Sequence, residues 1–238
     1  MNVNRELKLI WWAPERCGTK ITAEIFKKLG FEVYDEKNNT FTPLSETYHS
    51  HRITIPEQFS EYKIICNVRN PYDKVISFYL NFTSVGSNFV FFKNRKNEVK
   101  DKINNFTLEL FEYAINQKVL VNMSREIPVR DYVSKLTFDK RLPDFLIRVE
   151  NLEEDFSKID FIKQSKMWDS GEIQQLIKDN EFINKRPFDF NDLYSFESAR
   201  RVFDYYKKHF YVCDYSPFSF TKNSLTNQQK IKFLHEIS

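Results

Sequence analysis

The feature that most constrains this chain is an apolar run that passes through a short loop directly into a helix pattern. The run at residues 7–13 predicts a buried strand, and apolar positions at helical spacing predict a helix over 19–29. Gly30 follows where a helix C-cap favours glycine. Arg16 and Gly18 lie in the loop. Because the first amides of a helix have no intrahelical acceptor, this segment predicts an anion-binding site at the helix N-terminus.

Composition narrows the class of protein without deciding its function. A chain of 238 residues can bury a full core, so one domain is the default expectation. The net charge of +3 is too small to indicate a nucleic-acid or membrane-surface partner. No apolar run approaches the roughly 18 residues of a membrane span, and the N-terminus lacks a signal-peptide core. Three cysteines without a CxxC pair indicate a reduced, cytoplasmic setting, although a truncated luminal domain would share these features.

The order of the apolar patterns predicts the fold class. Further strands are expected at 31–34, 48–53, 62–68 and 145–149. Helical patterns follow the last two of these strands and recur at 160–180 and 196–212, whereas residues 35–46 are polar and predict a loop. Strands that alternate with helices predict a single α/β domain with a central parallel sheet flanked by helices. We expect this domain to span residues 1–216, with 217–238 as a C-terminal extension packed on it or trailing from it.

A second candidate anchor follows the strand predicted at 62–68. Arg69 comes directly after that strand, Asn70 and Pro71 favour a helix start, and Ser77 lies two turns along this helix. Ligands of open α/β sheets bind outside the carboxyl ends of the strands, so the first loop and Arg69 are expected at one edge. An arginine fork with a serine hydroxyl makes a phosphate clamp. Singly, each is explained as well by a surface ion pair or a helix-surface serine, and only the combination favours a ligand site.

The first loop does not match the phosphate loop of ATP-hydrolysing enzymes. The pattern G-x-x-x-x-G-K-[ST] is absent, since Gly18 is the one glycine and Ile21 follows Lys20. ATP hydrolysis through such a loop is therefore disfavoured. A purely structural strand-to-helix turn stays open as the alternative for this loop taken by itself.

Several segments together resemble the sulfotransferases that use 3′-phosphoadenosine 5′-phosphosulfate (PAPS). Pro14-Glu-Arg-Cys-Gly-Thr-Lys20 resembles their 5′-phosphosulfate loop, usually P-K-x-G-T-T. The segment Val68-Arg-Asn-Pro-Tyr-Asp-Lys-Val-Ile-Ser-Phe-Tyr79 is similar to their 3′-phosphate motif, R-[ND]-P-x-[DE]-R-x-x-S-x-Y. Residues 148–155 and 203–215 resemble two later family segments. The resemblance covers residues 7–216 in the family's order and implies the sulfotransferase fold with a P-loop-like 5′-phosphosulfate loop.

The resemblance also implies roles for individual residues. The position of Arg16 normally holds a lysine that bridges the transferring group and the leaving oxygen, so Arg16 is a catalytic candidate. The residues expected to bind the co-substrate, whose product is 3′-phosphoadenosine 5′-phosphate (PAP), are Arg16, Cys17, Gly18, Thr19, Lys20, Arg69, Ser77, Lys185 and Arg186. Amides of the loop with the Thr19 hydroxyl would hold the 5′-phosphate, Arg69 and Ser77 the 3′-phosphate, and the segment 184–186 would close over the nucleotide. Arg16 for lysine and Lys20 for the second threonine are departures from the family pattern.

A histidine pair lies ahead of the second anchor. In a strand over 48–53, His49 and His51 would share one face, and an imidazole near neutrality suits a general base. The pair could also ligate a metal, but no third ligand follows at a telling spacing, so no metal is expected. The hexuronyl 2-O-sulfotransferases, which modify glycosaminoglycans, carry a similar Y-H-x-H before their 3′-phosphate motif. We favour His51 as the base, with His49 assisting; the sequence does not decide between them.

The resemblance implies an enzyme that transfers a sulfuryl group from PAPS to a hydroxyl acceptor, expected to be a glycan. One alternative is a nucleotide or small-metabolite kinase with the same strand-loop-helix start. Another is a non-catalytic nucleotide- or glycan-binding relative, which the altered loop at Arg16 and Lys20 would favour. Neither the oligomeric state nor the identity of the acceptor follows from the sequence.

Overall fold

Two units make up the chain. The computed structural model describes residues 1–14, 17–44, 55–84, 141–183, 191 and 193–235. One unit is Met1–Arg69 with Lys135–Lys185, and the other is Asn70–Ser134 with Arg186–Ser238. The first unit contains all the strands of the sheet, and the described part of the second is helical.

The first unit is built on a six-stranded mixed sheet in the order β4-β3-β1-β2-β5-β6. The strands are β1 (Asn2–Asn4), β2 (Leu9–Trp12), β3 (Glu32–Asp35), β4 (Thr40–Pro43), β5 (Lys63–Val68) and β6 (Phe145–Arg148). β2, β5 and β6 are parallel, whereas β1, β3 and β4 each pair antiparallel with their neighbours. The predicted α/β class with helices flanking one sheet is confirmed, but the sheet is mixed rather than parallel.

Two tight hairpins cause this difference. Residues 5–8 join β1 to β2, and Lys8 there adopts a positive φ of 53°. Residues 36–39 join β3 to β4, and Asn39 adopts a φ of 51°. Connections this short can join only antiparallel neighbours, because a parallel pair needs a long crossover. The loop predicted at 35–46 was therefore wrong over β4, an edge strand that ends at a proline.

Helices pack on the first unit's sheet around an aromatic core. They are α1 (Thr19–Lys28), α3 (Leu152–Ser157), α4 (Asp160–Lys163), α5 (Lys166–Asp169) and α6 (Glu172–Ile183), whereas α2 (Pro71–Ser84) belongs to the other unit. Phe26 of α1 lies edge-on to Trp11 with ring centroids 5.0 Å apart and stacks on Phe31 at 4.5 Å. The single helix predicted at 160–180 is three, because Ser165 caps α5 and Gly171 turns at φ 76°.

The second unit packs α2 (Pro71–Ser84), α7 (Phe196–Val212) and α8 (Asn227–His235) around its own core. Tyr72 of α2 lies 5.1 Å from the ring of Phe210 and 5.7 Å from that of Phe220. Phe233 of α8 is fully buried. The segment predicted as an extension, 217–238, therefore supplies core residues to this unit. None of the helices in the described ranges is long and apolar enough to cross a membrane.

Candidate functional site

The three parallel strands bring their carboxyl ends to one edge of the first unit's sheet. β2 runs at this edge into the loop before α1, and Arg69 follows β5 directly. Arg148 ends β6, in register with Val68 of β5. The N-terminus of α1 and the residues after β5 and β6 therefore lie at the same edge of the sheet. Open α/β sheets bind ligands at this edge.

Gly18 forms the N-cap of α1 in a conformation that favours glycine. Its φ of 65° and ψ of 25° lie in the left-handed region. A Cβ at this position would lie 3.1 Å from Cγ2 and 3.3 Å from Cγ1 of Val149. Val149 directly follows β6, so the end of that strand limits the loop from one side.

Among the described residues, the start of α1 carries no acidic side chain. Gly18 provides no side-chain cap, and the first turn contains no acidic residue. Lys20 occupies the first turn with an exposed side chain. A helix N-terminus normally favours an acidic or hydroxyl side chain, because its amides and its dipole are positive. The described residues of this helix start therefore supply no negative side chain to its positive end.

One amide of the loop that was expected to hold the 5′-phosphate has a partner within the loop. The N–H of Cys17 donates to the carbonyl oxygen of Pro14 at 3.2 Å and closes the turn, so it is already engaged. The first hydrogen bond inside α1 runs from the N–H of Thr22 to the carbonyl oxygen of Gly18 at 3.2 Å. The amides from Gly18 to Ile21 thus precede the intrahelical ladder, and they are the donors that this helix start can offer to a ligand.

A buried asparagine ties the loop to the sheet. Asn67 of β5 is 0% exposed. Its Nδ2 donates to the carbonyl oxygen of Cys17 at 2.9 Å and to Oγ1 of Thr22 at 2.6 Å. Its Oδ1 accepts from Nε1 of Trp11 at 2.9 Å, and the Thr22 hydroxyl donates to the carbonyl oxygen of Gly18 at 3.0 Å. Sequence reasoning missed Asn67, although a polar side chain in a buried apolar strand is itself a signal, because it needs partners.

Arg148 also lies at the carboxyl ends of the parallel strands, where it forms an ion pair with Asp155. Its Nε and Nη2 donate to the two carboxylate oxygens of Asp155 at 2.9 and 2.6 Å, and its backbone N–H adds a bond of 2.8 Å. Burial by itself would raise the pKa of Asp155. The hydrogen bonds from Arg148 and Lys158 outweigh it, so the pKa lies below its ordinary value. This segment, which resembles a family motif, fixes α3 to the end of β6.

The remaining predicted site residues have separate outcomes. Ser77 lies in α2 of the second unit, where it is buried, and its contact with a 3′-phosphate stays a prediction. The other five, namely Arg16, His49, His51, Lys185 and Arg186, lie outside the described residues. Over the ranges that the structure describes, no cluster of three or more His, Cys, Asp or Glu side chains could hold a metal ion.

Comparison of the chain with protein-family models, with curated proteins and with solved structures found no match in any of the three.

Proposed function

We propose that this chain is a PAPS-dependent sulfotransferase that acts on a hydroxyl acceptor, with a carbohydrate as the expected acceptor class. The observation that carries the proposal is the N-terminus of α1, which has neither a side-chain cap nor an acidic residue in its first turn. It lies at the same sheet edge as Arg69, and the motifs around both positions resemble the two phosphate-binding segments of the family. A nucleotide with phosphates on both sides of its ribose fits two such anchors.

The chemistry requires a base at the acceptor and positive charge at the leaving phosphate. His51, with His49 orienting or assisting, would take the proton of the acceptor hydroxyl as its oxygen bonds to sulfur. The bond between sulfur and the 5′-phosphate oxygen breaks in the same displacement. The amides of Gly18 and Thr19, with the side chains of Arg16 and Lys20, would stabilise the negative charge that the departing PAP acquires.

Calorimetry of nucleotide binding tests the 3′-phosphate anchor. We expect PAP to bind at least tenfold more tightly than 5′-AMP, and Arg69→Ala to remove most of this difference. A charge-assisted hydrogen bond contributes about 1.5–3 kcal/mol, or roughly 10–100-fold in affinity. Arg5→Ala is the matched control, since Arg5 precedes β2 at the opposite end of that strand and pairs with Glu32. Equal affinities of the wild type for PAP and 5′-AMP would contradict the assignment.

Turnover tests the reaction itself. The assay supplies PAPS with radiolabelled sulfur and offers pooled glycans and small alcohols as acceptors. We expect label to move to a glycan in the wild type, and His51→Ala to abolish this transfer while PAP affinity stays within about twofold. Unchanged turnover in His51→Ala would refute the base assignment.

A non-catalytic nucleotide- or glycan-binding protein is the second candidate. Lys20 favours it, because this position holds a threonine in the family pattern and a lysine lacks the hydroxyl donor. Tight PAP binding with no transfer to any acceptor would support this candidate. ATP turnover without PAPS would instead support a small-metabolite kinase.

A further inference from the structure

We propose that Asn67 is the positioning residue of the α1 loop, and that it aims the amides of Gly18 and Thr19 at the 5′-phosphate. The inference rests on the proposed function, since it assumes that the loop binds a phosphate. Asn67 itself is buried and does not touch the ligand; it acts through the Cys17 carbonyl and the Thr22 hydroxyl.

Trp11 fixes which way the Asn67 amide faces. The indole Nε1 can only donate, so the atom of Asn67 that lies 2.9 Å from it is the acceptor Oδ1. The Nδ2 group then faces the loop, where its two hydrogens have two acceptors, the Cys17 carbonyl and the Thr22 hydroxyl. Both hydrogens of the buried amide are used, and its orientation follows from the Trp11 N–H, which can only donate, and the Cys17 carbonyl, which can only accept.

The same reasoning fixes the proton of the Thr22 hydroxyl. Its oxygen accepts from Nδ2 of Asn67 at 2.6 Å, so its single proton is available to the carbonyl oxygen of Gly18, 3.0 Å away. Thr22 is 0% exposed, so water does not compete for this hydroxyl. A directed chain of donors therefore runs from Trp11 through Asn67 and Thr22 to Gly18.

Because peptide bonds are planar, the directions of the Cys17 and Gly18 carbonyls also fix the directions of the Gly18 and Thr19 amides. In a planar trans peptide the C=O and the following N–H point in opposite directions. The Cys17 carbonyl points toward the buried Asn67, so the N–H of Gly18 points away from it. The Gly18 carbonyl accepts from the hydroxyl and the N–H of Thr22, so the N–H of Thr19 points out of the helix N-terminus. Two consecutive amides directed in this way form an anion-binding concavity.

The left-handed backbone of Gly18 makes such anchoring necessary. A glycine can reach many other conformations at little cost, so a loop around it would otherwise sample several amide directions. The hydrogen bonds to the Cys17 and Gly18 carbonyls select one set of amide directions before the ligand binds. Pre-organised donors lose no ordering entropy on binding, so the gain should appear as affinity for the 5′-phosphate alone.

The test compares two nucleotides that differ only in the 5′-phosphate. The ratio of affinities for adenosine 3′,5′-bisphosphate and adenosine 3′-monophosphate, measured by calorimetry, isolates the contribution of the loop. Thr22→Val keeps the side-chain shape but removes the hydroxyl, and Thr22→Ser restores the hydroxyl. We expect Thr22→Val to lower the ratio about tenfold, with 3′-monophosphate affinity within twofold of the wild type, and Thr22→Ser to recover most of it. Asn67→Leu should lower the ratio at least as much.

The outcomes separate this inference from the proposed function. A high wild-type ratio that Thr22→Val leaves unchanged would overturn the inference and leave the proposed function standing. Equal loss of affinity for both nucleotides would also overturn it, because a purely structural role weakens binding at both phosphates. A wild-type ratio near one would overturn the proposed function, and the inference with it.

Discussion

Substituting Gly18 by alanine should be among the most damaging small changes in the first unit. A left-handed conformation costs an L-residue about 1–2 kcal/mol relative to glycine. The added Cβ would also lie 3.1 Å from Cγ2 of Val149, where ordinary carbon contacts lie at about 3.5–4.0 Å. Overpacking of this kind costs about 1–3 kcal/mol. We therefore expect Gly18→Ala to lower the free energy of unfolding by about 2–5 kcal/mol, a large share of the roughly 5–15 kcal/mol typical of a domain.

Two further variants separate the two contributions. Gly171 has a φ of 76°, and a Cβ added there would meet no neighbouring atom within 4 Å, so Gly171→Ala measures the conformational cost without a clash. In the double variant Gly18→Ala/Val149→Ala the steric cost should disappear and the conformational cost should remain. Urea unfolding of all variants gives the free energies, and the coupling between positions 18 and 149 should be about 1–2 kcal/mol.

The result that would refute this reasoning is specific. If Gly18→Ala costs no more than Gly171→Ala, and the double variant shows no coupling, the contact with Val149 is not tight. The end of β6 would then play no part in holding the loop, and the glycine would be explained by its φ alone.

Three further predictions test the charges and the core of the second unit. Asp155→Asn should lower the free energy of unfolding by about 1–3 kcal/mol at pH 7. Because the pKa of Asp155 is lowered on folding, its contribution is present above the ordinary pKa of 3.8 and is lost as the pH falls further, so urea unfolding at decreasing pH should show a shrinking deficit. Phe233→Ala should cost about 3–5 kcal/mol in thermal unfolding, whereas Ile231→Ala on the same helix, at a residue 60% exposed, should cost less than about 0.5 kcal/mol. Lys20→Glu should stabilise α1 by about 0.3–1 kcal/mol and weaken PAP binding in calorimetry. A variant that is more stable and also binds PAP more tightly would contradict the anion site.

The strands that the sequence predicted correctly are those whose apolar runs are buried in the sheet. β2, β5 and β6 fall within one or two residues of their predicted bounds, and β3 lies one residue from the strand predicted at 31–34. β1 was missed because its two asparagines depend on tertiary partners: Nδ2 of Asn4 donates to the Leu29 carbonyl at 3.0 Å, and Nδ2 of Asn2 to that of Trp11 at 3.4 Å. Because these partners are distant in the sequence, the residues around β1 show no pattern that predicts a strand.

β4 was missed for a related reason. Its four residues contain one large apolar side chain, Phe41, which lies 5.1 Å from the ring of Tyr34 and 4.1 Å from the guanidinium of Arg5. A short, exposed edge strand forms because a neighbour offers its free edge, and single-sequence patterns do not record that neighbour. β1 and β4 therefore escaped prediction, whereas β3 and the parallel strands that carry the candidate site did not.

Within the site, motifs placed the loop and Arg69, but they could not show what holds the loop. The side chains that do so are Asn67 and Thr22, neither of which would face a ligand. Conversely, the motif at Arg148 predicted a family segment, and the structure gives it a local function in the pair with Asp155. Motifs locate the residues around a ligand better than they locate the support behind them.

The construction of the α1 start is easier to explain by a ligand than by structure alone. A helix that only had to begin after β2 would be more stable with a serine or aspartate cap and an acidic first turn. This one has a left-handed glycine against Val149, an exposed Lys20, and a buried amide that donates to the Cys17 carbonyl and to the Thr22 hydroxyl. The left-handed glycine and the lysine in the first turn each make this helix start less stable than it could be, and the amide holds the carbonyl that precedes Gly18. An anion is the simplest partner that would compensate for all of them together.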